Sequence, residues 1–257
     1  MNRIQELAEL GQSIWYDNIR RALLDDGGLA ALVEAGVTGV TSNPSIFVKA
    51  IAGSADYDDA LGELALTDMA VTELYEALAL EDIQRAADIL RPVYDRTNGV
   101  DGYVSLEVSP SLAHDTEATI SEARRLYAAL DRANVLIKVP ATPAGIPAIE
   151  TLIGEGININ VTLMFSLDHY DAVAGAYIAG LEKLAASDRD LAKAASVASF
   201  FVSRVDSLVD RALEEAGNEE LQGKIAIANA KAAYARFREV FSGERWERLA
   251  AQGARVQ

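Results

Sequence analysis

The chain has 257 residues, half of them hydrophobic, with no cysteine, two histidines and a formal net charge of −16. That length suits one large α/β barrel or two smaller domains, and the missing cysteines exclude disulfides, thiol nucleophiles and thiolate metal sites. The acidic balance repels nucleic acid and anionic membranes, so a phosphorylated small substrate would need a local cationic pocket.

No apolar run approaches the length of a membrane span, and the opening "MNRIQELAELGQ" lacks the apolar centre of a signal peptide. A cytoplasmic location is the expectation. His114 and His169 are too few for a histidine metal cluster and read as helix-start residues. There is no nucleotide-binding glycine loop, serine elbow or zinc motif, so neither a metal nor another cofactor is expected.

In chain order, a short first strand is predicted at "SIWYDN" (13–18) and a second at "GVTGVTSN" (36–43), ahead of Pro44. Residues 55–98 form a long, mostly helical excursion. A third strand, "GYVSLEVS" (102–109), precedes the helical "TEATISEARRLYAAL". "VLIKVP" (135–140) precedes "AGIPAIETLIGEG", where Pro147 suits a first turn and Gly154 or Gly156 a stop. "NINVTLMF" (158–165) precedes a helix with Ser166 as its cap and Asp168 in its first turn. "SVASFFV" (196–202) precedes "SRVDSLVDRALEEAG", and Ile227, Ala230, Tyr234, Phe237 and Phe241 give residues 223–241 an apolar stripe. Strand then helix, repeated, is the pattern of a parallel sheet. No linker or low-complexity tract divides it, so a single domain over 1–257 is expected.

Side chains alternate across a strand, which sorts the polar residues. Asn158, Asn160 and Thr162 share one face of their strand, Tyr103, Ser105 and Glu107 one face of theirs, and Lys138 the face opposite Ile137 and Val139. Helices between strands cover the outer face of such a sheet, so the polar faces point to a shared interior.

Lys138 has three readings: a surface lysine on an edge strand, a buried ion pair with Glu107, or an amine nucleophile. Burial favours the neutral amine, which attacks a ketone to form a Schiff base, an electron sink for breaking a carbon–carbon bond without a metal. Glu107 is then either a salt-bridge partner or the acid/base for the carbinolamine. Asp17 reads as a cap for the helix "NIRRALL" or as a second carboxylate that takes a hydroxyl proton. Asn43, Asn160 and Thr162 read as turn and ladder residues or as uncharged groups for a polyhydroxylated substrate. Ser199 and Arg204 could hold an anion at the following helix, although a lone arginine is more often a solvated charge.

At "GVTSNPSIF", "LIKVPAT", "GININVTLMFS" and "SFFVSR", in that order and spacing, the chain resembles the transaldolases, from about Ile4 to its last residue. The likeness is to the longer bacterial type, with its excursion after "TSNPSIF". It implies a (β/α)8 TIM barrel of the class I aldolase type, and sugar-phosphate substrates. A dihydroxyacetone unit would pass from sedoheptulose 7-phosphate to glyceraldehyde 3-phosphate. The family's Schiff-base lysine falls on Lys138. Its acid/base glutamate falls on Glu107, working with a water near Thr162, and its first-strand aspartate falls on Asp17. The hydroxyl-binding asparagines fall on Asn43 and Asn160, and the phosphate-site serine and arginine on Ser199 and Arg204. Phe201 fits the transferase branch, where the related fructose 6-phosphate aldolases carry a tyrosine.

The strand count is six, and an eightfold barrel needs two more. Strands seven and eight are therefore expected to be missing, leaving an open sheet edge and an unstable, aggregating or impaired chain. An aldolase releasing free dihydroxyacetone and a catalytically impaired fragment are the alternatives to an active transaldolase.

Overall fold

The computed structural model describes residues 2–257, which group into two compact units. The first runs to Pro110 and takes in Ala123–Ile137; the second holds Ser111–Glu122 and Lys138–Gln257. In chain order the elements reaching the end of the third strand are α1 (Arg3–Glu9), β1 (Trp15–Tyr16), α2 (Arg21–Asp25), α3 (Gly28–Glu34), β2 (Gly39–Thr41), α4 (Pro44–Gly53), α5 (Asp58–Leu64), α6 (Val71–Arg96) and β3 (Val104–Glu107). Helix α7 (Thr116–Leu130) and strand β4 (Val135–Pro140) each contribute to both units. Then follow α8 (Gly145–Gly154), β5 (Ile159–Met164), α9 (Leu167–Ala186), β6 (Ser196–Phe200), α10 (Ser203–Glu215), α11 (Ile225–Val240) and α12 (Glu244–Ala250).

In the first unit the strand order is β1-β2-β3-β4, with β1–β2 and β2–β3 parallel. Trp15 pairs with Gly39, and a β-carbon on Gly39 would meet the indole at 2.4 Å, so the close approach requires glycine. β1 is much shorter than the predicted 13–18. Ser13 and the Trp15 indole both donate to the Asp101 carboxylate, while Ile19 turns into the core, so the chain leaves the ladder after Tyr16. β2 stops at Thr41 because Asn43 and Pro44 open α4: the Asn43 side chain accepts from the Ile46 N–H at 3.0 Å. The excursion is helical as expected. α6 buries Leu78, Ile83, Ala86, Ala87, Leu90 and Val93, at helical spacing.

In the second unit the strand order is β4-β5-β6, with β5–β6 parallel. All six residues of β4 are buried, which is why its predicted limits hold: an inner strand of a parallel sheet reads as one apolar run. Ser166 caps α9 by accepting from the His169 N–H at 3.2 Å. At Gly180 a β-carbon would sit 2.7 Å from Ile153, so α8 and α9 cross where one lacks a side chain. The Arg245 guanidinium makes two hydrogen bonds to Glu182, at 2.8 and 2.7 Å, tying α12 to α9.

β5 carries a feature the alternation did not show. Val161 pairs with Ala198 and Met164 with Phe200, so three steps on β5 match two on β6. Leu163 takes up the extra residue at φ +63°, in the left-handed region uncommon for a side chain of its kind. The predicted stripe of 223–241 is partly wet, with Ile227 and Tyr234 more than half exposed.

A parallel α/β fold of the TIM-barrel type is thus present, with six strands among the described residues in sequential order and helices in the crossovers. No described helix is long and apolar enough to cross a membrane.

Candidate active site

The predicted site residues fall into two groups, one in each unit. The first holds Asp17, Asn43 and Glu107. Asp17 lies just after β1, exposed, on a cavity of about 330 Å³ that it lines with Asn18, Arg20, Ile46 and Lys49. It does not cap the following helix, as one reading had it: α2 begins four residues later, and the preceding position is Arg20. Asn43 does cap α4, which commits its carbonyl oxygen and fixes its amide, with the NH2 as the donor end. Glu107 closes β3, half-buried, two residues after the fully buried Ser105 on the same face. The Ser42 hydroxyl donates to the Ser105 carbonyl at 2.6 Å, joining the end of β2 to β3.

One residue here escaped the strand-based reading. Tyr75, from the first turns of α6, packs edge-on against the fully buried Phe47, with ring centroids 6.1 Å apart. Burial, and then the Glu107 carboxylate, push its phenol up to about 12. The signal in the sequence was faint: Val71, Leu74, Tyr75 and Leu78 form an apolar helical stripe with a single polar tip.

The second group holds Lys138, Asn160, Thr162, Ser199, Phe201 and Arg204. Lys138 is 6% exposed on an inner strand, which removes the surface-lysine reading. Asn160 and Thr162, two residues apart on β5, are 2% and 3% exposed. The Ser199 hydroxyl donates to the Asn160 carbonyl oxygen at 2.8 Å, and the Ala141 N–H, just past β4, donates to the Thr162 carbonyl at 2.8 Å. Those bonds tie three strand ends together around the residues that matter. Leu163, the strained residue, follows Thr162 directly, as bulges beside functional sites often do. Phe201 packs on Phe165 with centroids 5.1 Å apart, and the Arg204 guanidinium lies 4.8 Å from the Phe201 ring. Arg204 is exposed in the first turn of α10, yet the ring gives it a fixed seat.

The second group thus has what imine chemistry needs: a buried amine, neutral hydrogen-bonding groups and a guanidinium at a helix start. The first group contains two carboxylates, Asp17 and Glu107. Among known proteins, a family model described as Transaldolase/Fructose-6-phosphate aldolase matches residues 14–252. A transaldolase of Trichodesmium erythraeum is 48% identical over 268 residues, spanning 100% of this chain and 70% of that protein. Transaldolase 1 of Streptomyces avermitilis is 51% identical over 261 residues, spanning 100% of this chain and 69% of its own length. A transaldolase of Thiobacillus denitrificans is 52% identical over 261 residues, spanning 100% and 73%. On that match, across almost its whole length, the chain belongs to the transaldolase/fructose-6-phosphate aldolase family.

Proposed function

We propose that the chain is a transaldolase that carries a dihydroxyacetone unit from sedoheptulose 7-phosphate to glyceraldehyde 3-phosphate, yielding erythrose 4-phosphate and fructose 6-phosphate. The observation that carries this reading is Lys138, buried on an inner strand beside the motif residues Asn160 and Thr162, in a chain about half identical to proteins of that name.

The Lys138 amine attacks the ketone carbon of the donor and forms a carbinolamine. Glu107, working through a water near Thr162, returns a proton to the departing hydroxyl, and loss of water leaves the protonated imine. Asp17 takes the proton of the hydroxyl on the carbon beyond the scissile bond. That bond breaks, its electron pair flows into the imine, and the aldehyde leaves. The enamine adds to the incoming aldehyde, Asp17 returns the proton, and hydrolysis frees Lys138. Asn43 and Asn160 hold the hydroxyls of the bound three-carbon unit. Arg204 holds the phosphate, with Phe201 seating the guanidinium, and Ser199 lines that end of the site while its hydroxyl orients Asn160. The step sequence needs neither metal nor cofactor, and it belongs to the non-oxidative pentose phosphate pathway of the cytoplasm. The site residues act as parts of one barrel-type domain, and the acidic surface disfavours nucleic acid and membrane partners.

Borohydride reduction in the presence of fructose 6-phosphate tests the reading. A covalent sugar adduct on the peptide containing Lys138 supports it; folded protein that yields none refutes it. The aldolase alternative predicts free dihydroxyacetone without an acceptor, and Phe201 weighs against it.

A further inference from the structure

Helix α2 starts without a cap of its own. Arg20 occupies the cap position and makes no side-chain capping bond, although the first N–H groups of a helix have no partner within it. Two of them find partners far away, both in the helical excursion. The Arg21 N–H donates to the Tyr57 hydroxyl at 3.0 Å, and the Ala22 N–H reaches the Asp56 carboxylate at 3.4 Å. The Tyr57 hydroxyl in turn donates to Asp82 on α6 at 2.8 Å. The Arg21 side chain closes the circuit, with its Nε 3.0 Å from the other Asp82 oxygen, an Nη 2.7 Å from Glu81, and its guanidinium 5.0 Å from the Tyr57 ring centroid. Tyr57 and Asp82 are fully buried and Arg21 is 7% exposed.

A buried charged pair of this kind adds little net stability over an apolar packing, but it fixes geometry, because either partner alone would be left as an uncompensated charge. What it fixes is the first turn of α2, and between that turn and β1 lie only residues 17–20. Ile19 in that link is buried, and its N–H is held by the Asn18 side chain. Asp17 therefore sits on a four-residue bridge, anchored on one side by the β1–β2 ladder and on the other by this network.

We propose that Tyr57 is a positioning residue for Asp17: its hydroxyl, held by Asp82 and holding the first turn of α2, sets where the Asp17 carboxylate stands during carbon–carbon bond cleavage. The inference rests on the Schiff-base reading above. It gives the excursion a part in the chemistry through α2.

The test uses the full chain and borohydride trapping with fructose 6-phosphate, read by mass. An uncleaved donor leaves a six-carbon adduct on Lys138, and a cleaved one leaves a three-carbon adduct. Tyr57→Phe keeps the ring over Arg21 and removes only the oxygen. The expected result is total trapping close to that of the unaltered chain, with the three-carbon share of early adduct falling roughly ten-fold, as a small misplacement of a reacting group does. Asp17→Asn should give the same shift, and Asp56→Ala, which removes the second partner of α2 without touching the buried pair, a smaller one. If Tyr57→Phe and Asp56→Ala lower the melting temperature while the adduct ratio stays unchanged, the network is only structural and the proposal falls. If the unaltered chain gives no adduct at all, the Schiff-base reading itself has failed and takes this inference with it.

Discussion

The Ser199 hydroxyl donates to the side-chain oxygen of Asn160 across adjacent parallel strands, at 2.8 Å. The bond fixes the amide by committing its oxygen within the protein. Ser199→Ala should leave Lys138 trappable but let the amide turn. The lost bond is worth about 1 kcal/mol, or roughly five-fold in kcat/KM. Steady-state kinetics beside trapping would show it, and an unchanged kcat/KM would count against a binding role for Asn160.

Lys138→Ala should abolish the borohydride adduct, because alanine has no amine with which to form the imine. Glu107→Gln should retain the fold and slow turnover by roughly a hundred-fold, the low end of what a positioned acid/base contributes. Circular dichroism beside trapping and turnover would separate these outcomes from misfolding.

The alkaline limb of stability should report on Tyr75. Its folded-state phenol stands near 12, against 10.0 for an unperturbed tyrosine. Above pH 10 the unfolded chain loses this proton and the folded chain keeps it, so the unfolded state binds fewer protons and stability falls as pH rises. The contribution is complete below pH 10 and lost towards pH 12. Tyr170, also pushed to about 12 by burial, adds to the same slope. Urea midpoints from pH 9 to 11.5 should fall, and Tyr75→Phe should flatten the fall. Glu107→Gln should lower the Tyr75 pKa without restoring it fully, since burial is the larger cause; NMR of 13C-labelled tyrosine would follow it directly.

The acid limb should report on Glu182. The Arg245 hydrogen bonds hold its carboxyl below the ordinary 4.5. Its share of stability is present above that value and lost as pH falls through the lowered one. Both side chains are roughly half exposed, so screening keeps the pair to about 0.5 kcal/mol. Arg245→Ala should cost that much at pH 7, and the cost should shrink as pH falls below 4.5, measured by denaturant titration.

The legible parts of this molecule were those written in short-range pattern. β4 kept its predicted limits because its six residues are all buried, and Ser166 stood where a cap must stand. Lys138, Asn160 and Thr162 were legible because alternation put polar groups where an inner strand should have none. The rest depended on partners far along the chain. β1 shrank because its flanks answer to Asp101, 86 and 88 residues away. Asp17 could be read as a cap only because the true partners of α2 lie 34 and 36 residues downstream. The bulge at Leu163 gave no sign, since its left-handed residue is not a glycine. Alternation carries no mark of an extra residue inside a strand.

The two tryptophans of the chain fall one to each compact unit. Trp15 lies flat on Gly39 with its indole N–H on Asp101 at 2.9 Å, and Trp246 meets Phe241 edge-on with ring centroids 4.7 Å apart. Each unit thus carries its own intrinsic fluorophore in an environment that unfolding must destroy. With one tryptophan replaced by phenylalanine at a time, emission follows each half of the molecule separately. Coincident transitions would mark a single cooperative body, and separated ones two.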